Sequence, residues 1–277
     1  MKKQFYIFEG ELLPLAENPA SDFSTHSHES VSETVRLYNT KPLFLKEHLQ
    51  HLQQSLERVF LPMPALATFE RVSRYITRLL NVNKVYKGGI ATIHAITQAE
   101  NITQLVITIT ALPELSYTFN NTGLHILHNS DFVLPQPFMH SSYNCNSAVW
   151  NMATRYAHAH NYNAACLCNY SNCIETTSAG QLVYMKNNCL TLVGNVPVNP
   201  LLEQFLQLLP QHNYFIARNT QCTITDFEGA NDVFIFNTID GIRWVSRLNN
   251  AVYGFKHAKD LYMLLVRFVE DYSITNN

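Results

Sequence analysis

The sequence has few charged residues, no excess of positive charge and no long hydrophobic run. Charged residues make up 14% of its 277 positions and the formal net charge is −2, so no basic field would attract nucleic acid or an anionic lipid surface. No apolar run approaches the roughly 20 residues of a membrane helix. Glu9 and Glu11 interrupt the first fifteen residues, which therefore lack the apolar region of a signal peptide. We expect a cytoplasmic protein with no nucleic-acid partner and no membrane partner.

The cysteines and histidines form no recognisable metal motif. Cys166 and Cys168 would share one face of a strand, but together with Cys173 they match no common zinc spacing. We interpret the cysteines as small buried apolar residues and expect neither a metal nor a disulfide. Four histidines are interpreted as solvated side chains: His26, His28, His158 and His160.

The apolar content is sufficient for the core of a soluble globular protein of one or two domains. Hydrophobic residues account for 47% of the chain, which is typical of globular proteins. The polar segment PELSYTFNNT is the best candidate boundary. We therefore predict an N-terminal domain over residues 1–113, a linker over 114–122 and a C-terminal domain over 123–277.

Hydrophobic periodicity predicts a mixture of helices and strands, and therefore an α+β fold. Apolar residues recur at intervals of three and four in five predicted helices: Lys46–Phe60, Leu66–Leu80, Asn146–Asn161, Leu201–Leu209 and His257–Tyr272. Alternating or continuous apolar runs predict a hairpin over 4–15 and strands over 31–38, 43–45, 89–97, 104–112, 124–129, 164–168, 182–185, 232–237 and 242–245. A turn over 39–42 would connect the strands at 31–38 and 43–45.

The stretch from His140 to Lys186 contains the strongest candidate site. It reads as a polar turn, an amphipathic helix, an apolar strand, a short turn and a second strand. That second strand opens on Glu175, which three hydroxyl residues, Thr176, Thr177 and Ser178, follow directly. A carboxylate and several hydroxyls at a strand end could hold a ring nitrogen and a phosphate, although they could equally satisfy backbone groups of a turn.

Three segments in order resemble the class IV aminotransferases, a family of pyridoxal-phosphate enzymes. They are SETVRLYNTKPLFLKEHLQHLQQSLERV, NCNSAVWNMATRYAHAHNYNAACLCNYSNCIETTSAGQLVYMK and GANDVFIFNTIDGIRWV. The resemblance covers nearly the whole chain and implies the two-domain fold type IV, like that of D-amino acid aminotransferase. The Glu-Thr of SETVR and the compact length resemble aminodeoxychorismate lyase or D-amino acid aminotransferase more than the longer branched-chain enzymes.

The resemblance also implies a cofactor, a set of site residues and a homodimer. Pyridoxal phosphate would have its ring nitrogen against Glu175 and its phosphate near Thr177 and Ser178. Asn237 and Thr238, in the late strand turn, match further positions of the cofactor site. His51 stands where the family has an arginine that holds the phosphate, and histidine is a conditional anion partner because its charge depends on pH.

The lysine that the family needs for its Schiff base is missing. Its position falls on Tyr143, or on Asn144 if the register shifts by one, and no lysine occurs from Gly88 to Met185. Tyrosine cannot form an imine, and its pKa of about 10 makes it a poor base. Asn199-Pro200 stands where the family has a glycine-led turn that binds phosphate through backbone amides, and proline lacks an amide donor.

Two hypotheses follow for the function. The first is a binding or non-catalytic homologue that has lost the lysine-dependent chemistry and binds a small amino-acid-like or anionic ligand. The second is an active lyase or transaminase that acts on an amino acid or aminodeoxychorismate, with the cofactor held noncovalently and proton transfer left to Tyr143 or a histidine.

Overall fold

A computed structural model describes residues 4–15, 30–97, 102–134 and 147–275. The described residues divide into two compact units. The first contains residues 4–116 within those ranges together with 271–275, and the second contains residues 117–270 within those ranges. The division falls inside the segment predicted as a linker. Whether either unit is an independently folding domain with the predicted limits stays a prediction.

The first unit is a six-stranded sheet with two helices packed on one face. Its strand order is β2-β1-β6-β5-β3-β4, and all neighbouring pairs are antiparallel. The elements are β1 (Phe5–Phe8), β2 (Glu11–Pro14), β3 (Ser30–Tyr38), β4 (Lys41–Pro42), α1 (Leu45–Arg58), α2 (Phe69–Asn83), β5 (Gly88–Thr97) and β6 (Thr103–Leu112). Inward-facing strand residues such as Val35, Ile93 and Ile107 meet Leu52 and Ile76 of the two helices in one buried cluster.

The two helices form where periodicity predicts them, with shifted ends. Helix α2 begins three residues later than predicted because the Thr68 hydroxyl accepts the Arg71 amide as an N-cap, an arrangement that satisfies an otherwise unpaired donor. It continues to Asn83 and ends at Lys84, which adopts the left-handed conformation. The apolar stripe located both helices, whereas local capping determined their limits.

The predicted return strand at 43–45 is wrong. The chain turns through Asn39 and Thr40, both with positive φ, and the return strand is the two-residue β4. Phe44 then adopts a left-handed conformation at φ 52 and Leu45 starts α1. Leu43 to Leu45 are apolar because they are buried where the chain enters α1. They are not part of a β-strand.

The second unit is built on a nine-stranded mixed sheet. The main path of this sheet is β12-β11-β10-β13-β14-β7-β8-β9, and β15 pairs with β14. The strands are β7 (Leu124–Leu127), β8 (Ala164–Cys168), β9 (Ile174–Thr177), β10 (Gln181–Lys186), β11 (Cys189–Val193), β12 (Phe215–Asn219), β13 (Asp232–Asn237), β14 (Gly241–Leu248) and β15 (Ala251–Val252). The helices are α3 (Ser147–Ala159), α4 (Pro200–Leu208) and α5 (Lys256–Thr275), and the residues of α5 from Asp271 onward belong to the first unit.

Strand β8 is buried on both faces, which explains its continuous apolar sequence. Cys166 and Cys168 face one cluster that also contains residues of β7, β10 and β13, while Ala165 and Leu167 face a second cluster with Ala153 of α3. Both thiols are free and fully buried. The prediction that these two cysteines share a strand face as small apolar residues is confirmed.

Strands β11 and β12 are the longest of the strands that were not predicted from the sequence. They pair in parallel over five residues, so their carboxyl ends lie side by side. The described residues include no helix long and apolar enough to cross a membrane. They also include no group of three or more histidine, cysteine or acidic side chains arranged to hold a metal ion.

Candidate functional site

Glu175 lies in the interior of the second unit, in the short strand β9. Its side chain and those of Ile174, Thr176 and Thr177 are all buried, and Glu175 is 2% exposed. Strand β9 pairs only with β8 within the sheet path, and the register shifts between Leu167 and Cys168. A buried carboxylate requires hydrogen bonds from its surroundings, so its partners define the site.

Two asparagines hold the Glu175 carboxylate, one by its side chain and one by its backbone. The Asn169 side-chain amide donates to Oε1 at 2.8 Å, and the Asn195 backbone N–H donates to Oε2 at 2.6 Å. The Asn169 side-chain oxygen accepts from the backbone amides of Ser171 and Cys173. One asparagine therefore shapes the β8–β9 turn and fixes the carboxylate that follows it.

Gly194 allows the loop after β11 to approach Glu175. It has a φ of +78°, and a Cβ atom at this position would lie 2.1 Å from the Glu175 carbonyl oxygen. Only glycine accommodates both the left-handed conformation and this approach. The Asn195 amide reaches the carboxylate because Gly194 brings the two backbones together.

Arg218 of β12 holds the same loop through two of its backbone carbonyls. Its Nη1 donates to the carbonyl oxygens of Gly194 at 3.0 Å and Val196 at 3.2 Å. Burial lowers the pKa of Arg218, while attraction to Glu175 acts in the opposite direction. Sequence reasoning missed Arg218 because it missed β12, although the apolar pair Phe215-Ile216 after the Asn213-Tyr214 turn was an available signal.

A cavity of about 510 Å³ opens above Glu175. It lies where the parallel strands β11 and β12 end, since Asn195 follows the first strand and Thr220 and Gln221 follow the second. Among the described residues, Glu175 is the only charged member of the lining, which consists of Asn169, Ser171, Cys173, Glu175, Asn195, Thr220 and Gln221. The cavity is therefore a polar cup over a buried carboxylate.

Burial makes two thiols near this cavity, those of Cys168 and Cys222, weaker acids. It raises the pKa of Cys168 to about 11 and that of Cys222 to about 12, and neighbouring thiols and carboxylates reinforce both shifts. The Cys222 carbonyl accepts from the Ile174 amide at 2.7 Å, which places the start of the 222–227 segment beside β9. Cys173, by contrast, is partly exposed and lines the cavity.

The hydroxyls after Glu175 satisfy backbone groups of their own turn and of the neighbouring strand β8. The Thr177 hydroxyl donates to the Gly180 carbonyl at 2.8 Å and accepts from the Ala179 amide at 3.3 Å. The Ser178 hydroxyl accepts from the Ala165 amide at 3.2 Å. Their predicted contact with a cofactor stays a prediction, and the structure gives both hydroxyls a structural role.

Asn237 connects that turn to the next predicted site segment. Its side-chain amide donates to the Ala179 carbonyl at 3.0 Å, and its side-chain oxygen accepts from the Ile239 and Asp240 amides. Thr238 is buried, and its carbonyl oxygen accepts from the Tyr117 hydroxyl at 3.1 Å. The structure thus brings the loop after β9 together with Asn237, as part of one hydrogen-bonded pair of turns.

His51 belongs to the first unit, where it shares a carboxylate with His48. Nδ1 of His48 lies 2.7 Å from one oxygen of Glu33, and Nδ1 of His51 lies 2.8 Å from the other. Burial raises the pKa of Glu33, but the hydrogen bonds and charges of the two histidines outweigh it, so the pKa is lowered. Sequence reasoning missed Glu33, although an acid between Val31 and Val35, both inward-facing, predicts a buried partner.

Several predicted residues lie outside the described part of the chain. These are Tyr143 and its alternative Asn144, together with His26 and His28. The other two histidines that were interpreted as solvated are His158 and His160. The His158 side chain has no hydrogen bond within the described residues, whereas Nδ1 of His160 contacts the Tyr156 carbonyl at 2.8 Å and its ring stacks on Tyr156.

Comparisons with known proteins agree on one fold. The family model for amino-transferase class IV matches residues 30–248. The branched-chain aminotransferase of Thermoproteus uzoniensis with norvaline is 14% identical, with a TM-score of 0.82 over 98% of this chain and 96% of that one. The T.th. branched-chain amino acid aminotransferase with pyridoxamine 5'-phosphate is 16% identical, with a TM-score of 0.80 over 98% and 96%.

The branched-chain aminotransferase of Escherichia coli is 14% identical, with a TM-score of 0.77 over 94% of this chain and 92% of that one. No curated protein sequence matches the chain. At these identities the structural matches show the fold alone. The predicted two-domain fold type IV architecture is confirmed.

Proposed function

The chain belongs to the class IV amino-transferase family, and from this premise we propose that it is a binding or non-catalytic member without lysine-dependent pyridoxal-phosphate chemistry. One observation carries the proposal: no lysine occurs anywhere from Gly88 to Met185. The family resemblance places the Schiff-base lysine inside this interval, at Tyr143. A phenol cannot replace an amine in that bond.

The described residues around Glu175 do not fit a lysine-bound cofactor. Pyridoxal phosphate supplies an electron-withdrawing ring and a phosphate dianion, but no cationic side chain lines the Glu175 cavity. At the start of α4, the Asn199 side chain already accepts the Leu202 amide at 2.9 Å. Pro200 contributes no amide there. Within the described residues, this helix start therefore offers little of the anion site that the family resemblance implies.

A second candidate is an active lyase or transaminase that holds the cofactor noncovalently. The retained carboxylate of Glu175 favours it, because the resemblance assigns this position to the ring nitrogen. The T.th. relative was crystallised with pyridoxamine 5'-phosphate, a cofactor form that has no bond to a lysine. The aminodeoxychorismate lyase-like branch rests on Glu33-Thr34 and the compact length alone.

Absorbance spectroscopy separates the two candidates. Purified protein would be mixed with pyridoxal phosphate, separated from unbound cofactor and then exposed to a panel of amino acids and aminodeoxychorismate. We expect no retained band that shifts with substrate and no product. A retained band that shifts together with product formation would overturn the non-catalytic proposal.

Borohydride reduction followed by peptide mapping provides an independent control. Reduction would fix any imine between the cofactor and a lysine as a stable secondary amine. We expect no single lysine to be labelled stoichiometrically, since those outside 88–185, such as the exposed Lys84 and Lys256, react only as ordinary surface amines. Stoichiometric labelling of one lysine would contradict the proposed loss of covalent attachment.

A homodimer in the cytoplasm is part of the same proposal. The family resemblance supports the dimer. The five described cysteines support the location, because they are all free and free thiols are typical of reducing compartments. Sedimentation velocity on the full chain checks the first statement, and fractionation of the source cell checks the second.

A further inference from the structure

The cavity above Glu175 contains polar side chains that the fold does not use. Within the described part of the chain, the solvent-exposed side chains of Ser171, Asn195, Thr220 and Gln221 form no hydrogen bond to another protein group. They surround a carboxylate that is itself buried. Amide and hydroxyl groups grouped around one buried charge provide several converging donors and acceptors, as small-molecule sites do.

The Glu175 carboxylate has capacity for a further donor. An ionised carboxylate has about four lone-pair positions, and within the described residues only the Asn169 and Asn195 donors are bonded to it. An ammonium group is the strongest additional partner, because its hydrogen bonds to a carboxylate are charge-assisted. The site therefore favours a ligand with an amine over one with a carboxylate or a phosphate.

The surrounding charges support the same preference. In the part of the lining that the structure describes, Glu175 is the only charged group. Arg218 attracts it from outside the lining, but Nη1 of Arg218 is directed to the carbonyls of Gly194 and Val196. Within the described lining no cationic side chain is available to an anionic ligand.

The size and chemistry of the lining limit the rest of the ligand. A volume of about 510 Å³ lies within the range of roughly 300–1,000 Å³ for small-molecule sites. The lining has no aromatic and no branched aliphatic side chain. A molecule of monosaccharide size with several hydroxyl groups matches both properties.

We propose that the cavity between the ends of β11 and β12 binds a small hydroxylated amine, with its ammonium on Glu175 and its hydroxyls on Asn195, Thr220 and Gln221. The proposal rests on the binding function proposed above and names its ligand class. It involves no cofactor and no covalent step. The position agrees with a general rule for open sheets, in which ligands bind beyond the carboxyl ends of parallel strands.

Calorimetric titration of the full chain without pyridoxal phosphate tests the proposal. The probes are glucosamine and 2-amino-1,3-propanediol, and their matched controls without an ammonium group are N-acetylglucosamine and glycerol. We expect at least one amine to bind at least tenfold more tightly than its control. Equal binding within each pair, or no binding of either amine, would overturn the proposal.

Variants locate the binding at this cavity. Gln221→Ala and Asn195→Ala should each weaken amine binding at least threefold, whereas Gln211→Ala, at an exposed glutamine outside the cavity, should leave it unchanged. Glu175→Gln should abolish the preference for amines. Because Glu175→Gln removes a buried charge, its thermal melting curve is recorded first. If Glu175→Gln does not fold, Gln221→Ala and Asn195→Ala decide the result. Binding that survives both of them would overturn the proposed location.

The outcome of the amine titrations can be distinguished from the outcome of the spectroscopic test with pyridoxal phosphate. Product formation with pyridoxal phosphate would refute the non-catalytic proposal whatever the titrations show. Loss of amine binding without such product formation would refute only the ligand class.

Discussion

Among the described residues, each unit has a buried glutamate whose two carboxylate oxygens are both hydrogen-bonded, but the two glutamates differ in the chemistry of their partners. Glu33 faces two histidine side chains, whereas Glu175 faces an asparagine side chain and a backbone amide. Imidazole side chains can carry a positive charge, whereas amides are neutral donors. The difference teaches that equally buried carboxylates can be hydrogen-bonded either by groups that can carry the opposite charge or by neutral amides.

The largest expected effect comes from closing the backbone approach that supports Glu175. Gly194→Ala would place a Cβ 2.1 Å from the Glu175 carbonyl oxygen, so the loop or β9 must move. We expect a loss of about 4 kcal/mol in the free energy of unfolding, measured by urea denaturation.

Gly229→Ala is the matched control. Gly229 also has a positive φ, +71°, but a Cβ there meets nothing within 4 Å. It should therefore cost only the backbone strain, about 1 kcal/mol. Equal losses in the two variants would show that the contact with Glu175 is unimportant.

A smaller loss is expected when the other carboxylate is neutralised. Glu33→Gln keeps the shape of the side chain but removes the charge that both histidines contact. We expect a loss of about 3 kcal/mol, because removing one partner leaves buried polar groups poorly satisfied. Glu57→Gln, at an exposed acid of α1 that pairs with Gln53, should change stability by no more than about 0.5 kcal/mol. A result for Glu33 as small as that control would contradict a stabilising role for this cluster.

The smallest expected effect is the pH dependence of the stability that Glu33 contributes. The pKa of Glu33 is lowered in the folded protein, so its stabilisation is present above the pKa of the unfolded chain, about 4.5, and is lost as pH falls through the lowered value. The stability difference between the wild type and Glu33→Gln should therefore shrink on acidification below pH 4.5. Denaturation curves at several pH values check this, and a difference that grows on acidification would reverse the assigned sign.

The sequence predicted the elements whose apolar spacing is regular and failed where tertiary contacts dominate. Helices α1 and α5 follow from stripes such as Leu49-Leu52-Leu56 and Leu261-Leu265, which are buried in the structure. Strand β12 has no inward-facing alternation because four of its five residues are exposed. It forms through its parallel ladder with β11, a partner that local sequence does not specify.

The candidate site shows the same limit. Glu175 was recognisable because it follows an apolar strand and precedes a hydroxyl cluster. The Asn195 amide comes from a residue twenty positions away, and the Arg218 contact with Gly194 spans twenty-four positions. Such contacts depend on how strands are ordered in the sheet, which periodicity does not reveal.

The uneven burial of the thiols gives the cavity an attachment point for a reporter group. Burial raises the pKa values of Cys166, Cys168 and Cys222, and a protonated thiol reacts slowly with alkylating dyes. Cys173 is partly exposed and lines the cavity. Cys189 is also free and partly exposed. After Cys145 and Cys189 are replaced by serine, a fluorophore on Cys173 would report occupancy of the cavity by a change in emission.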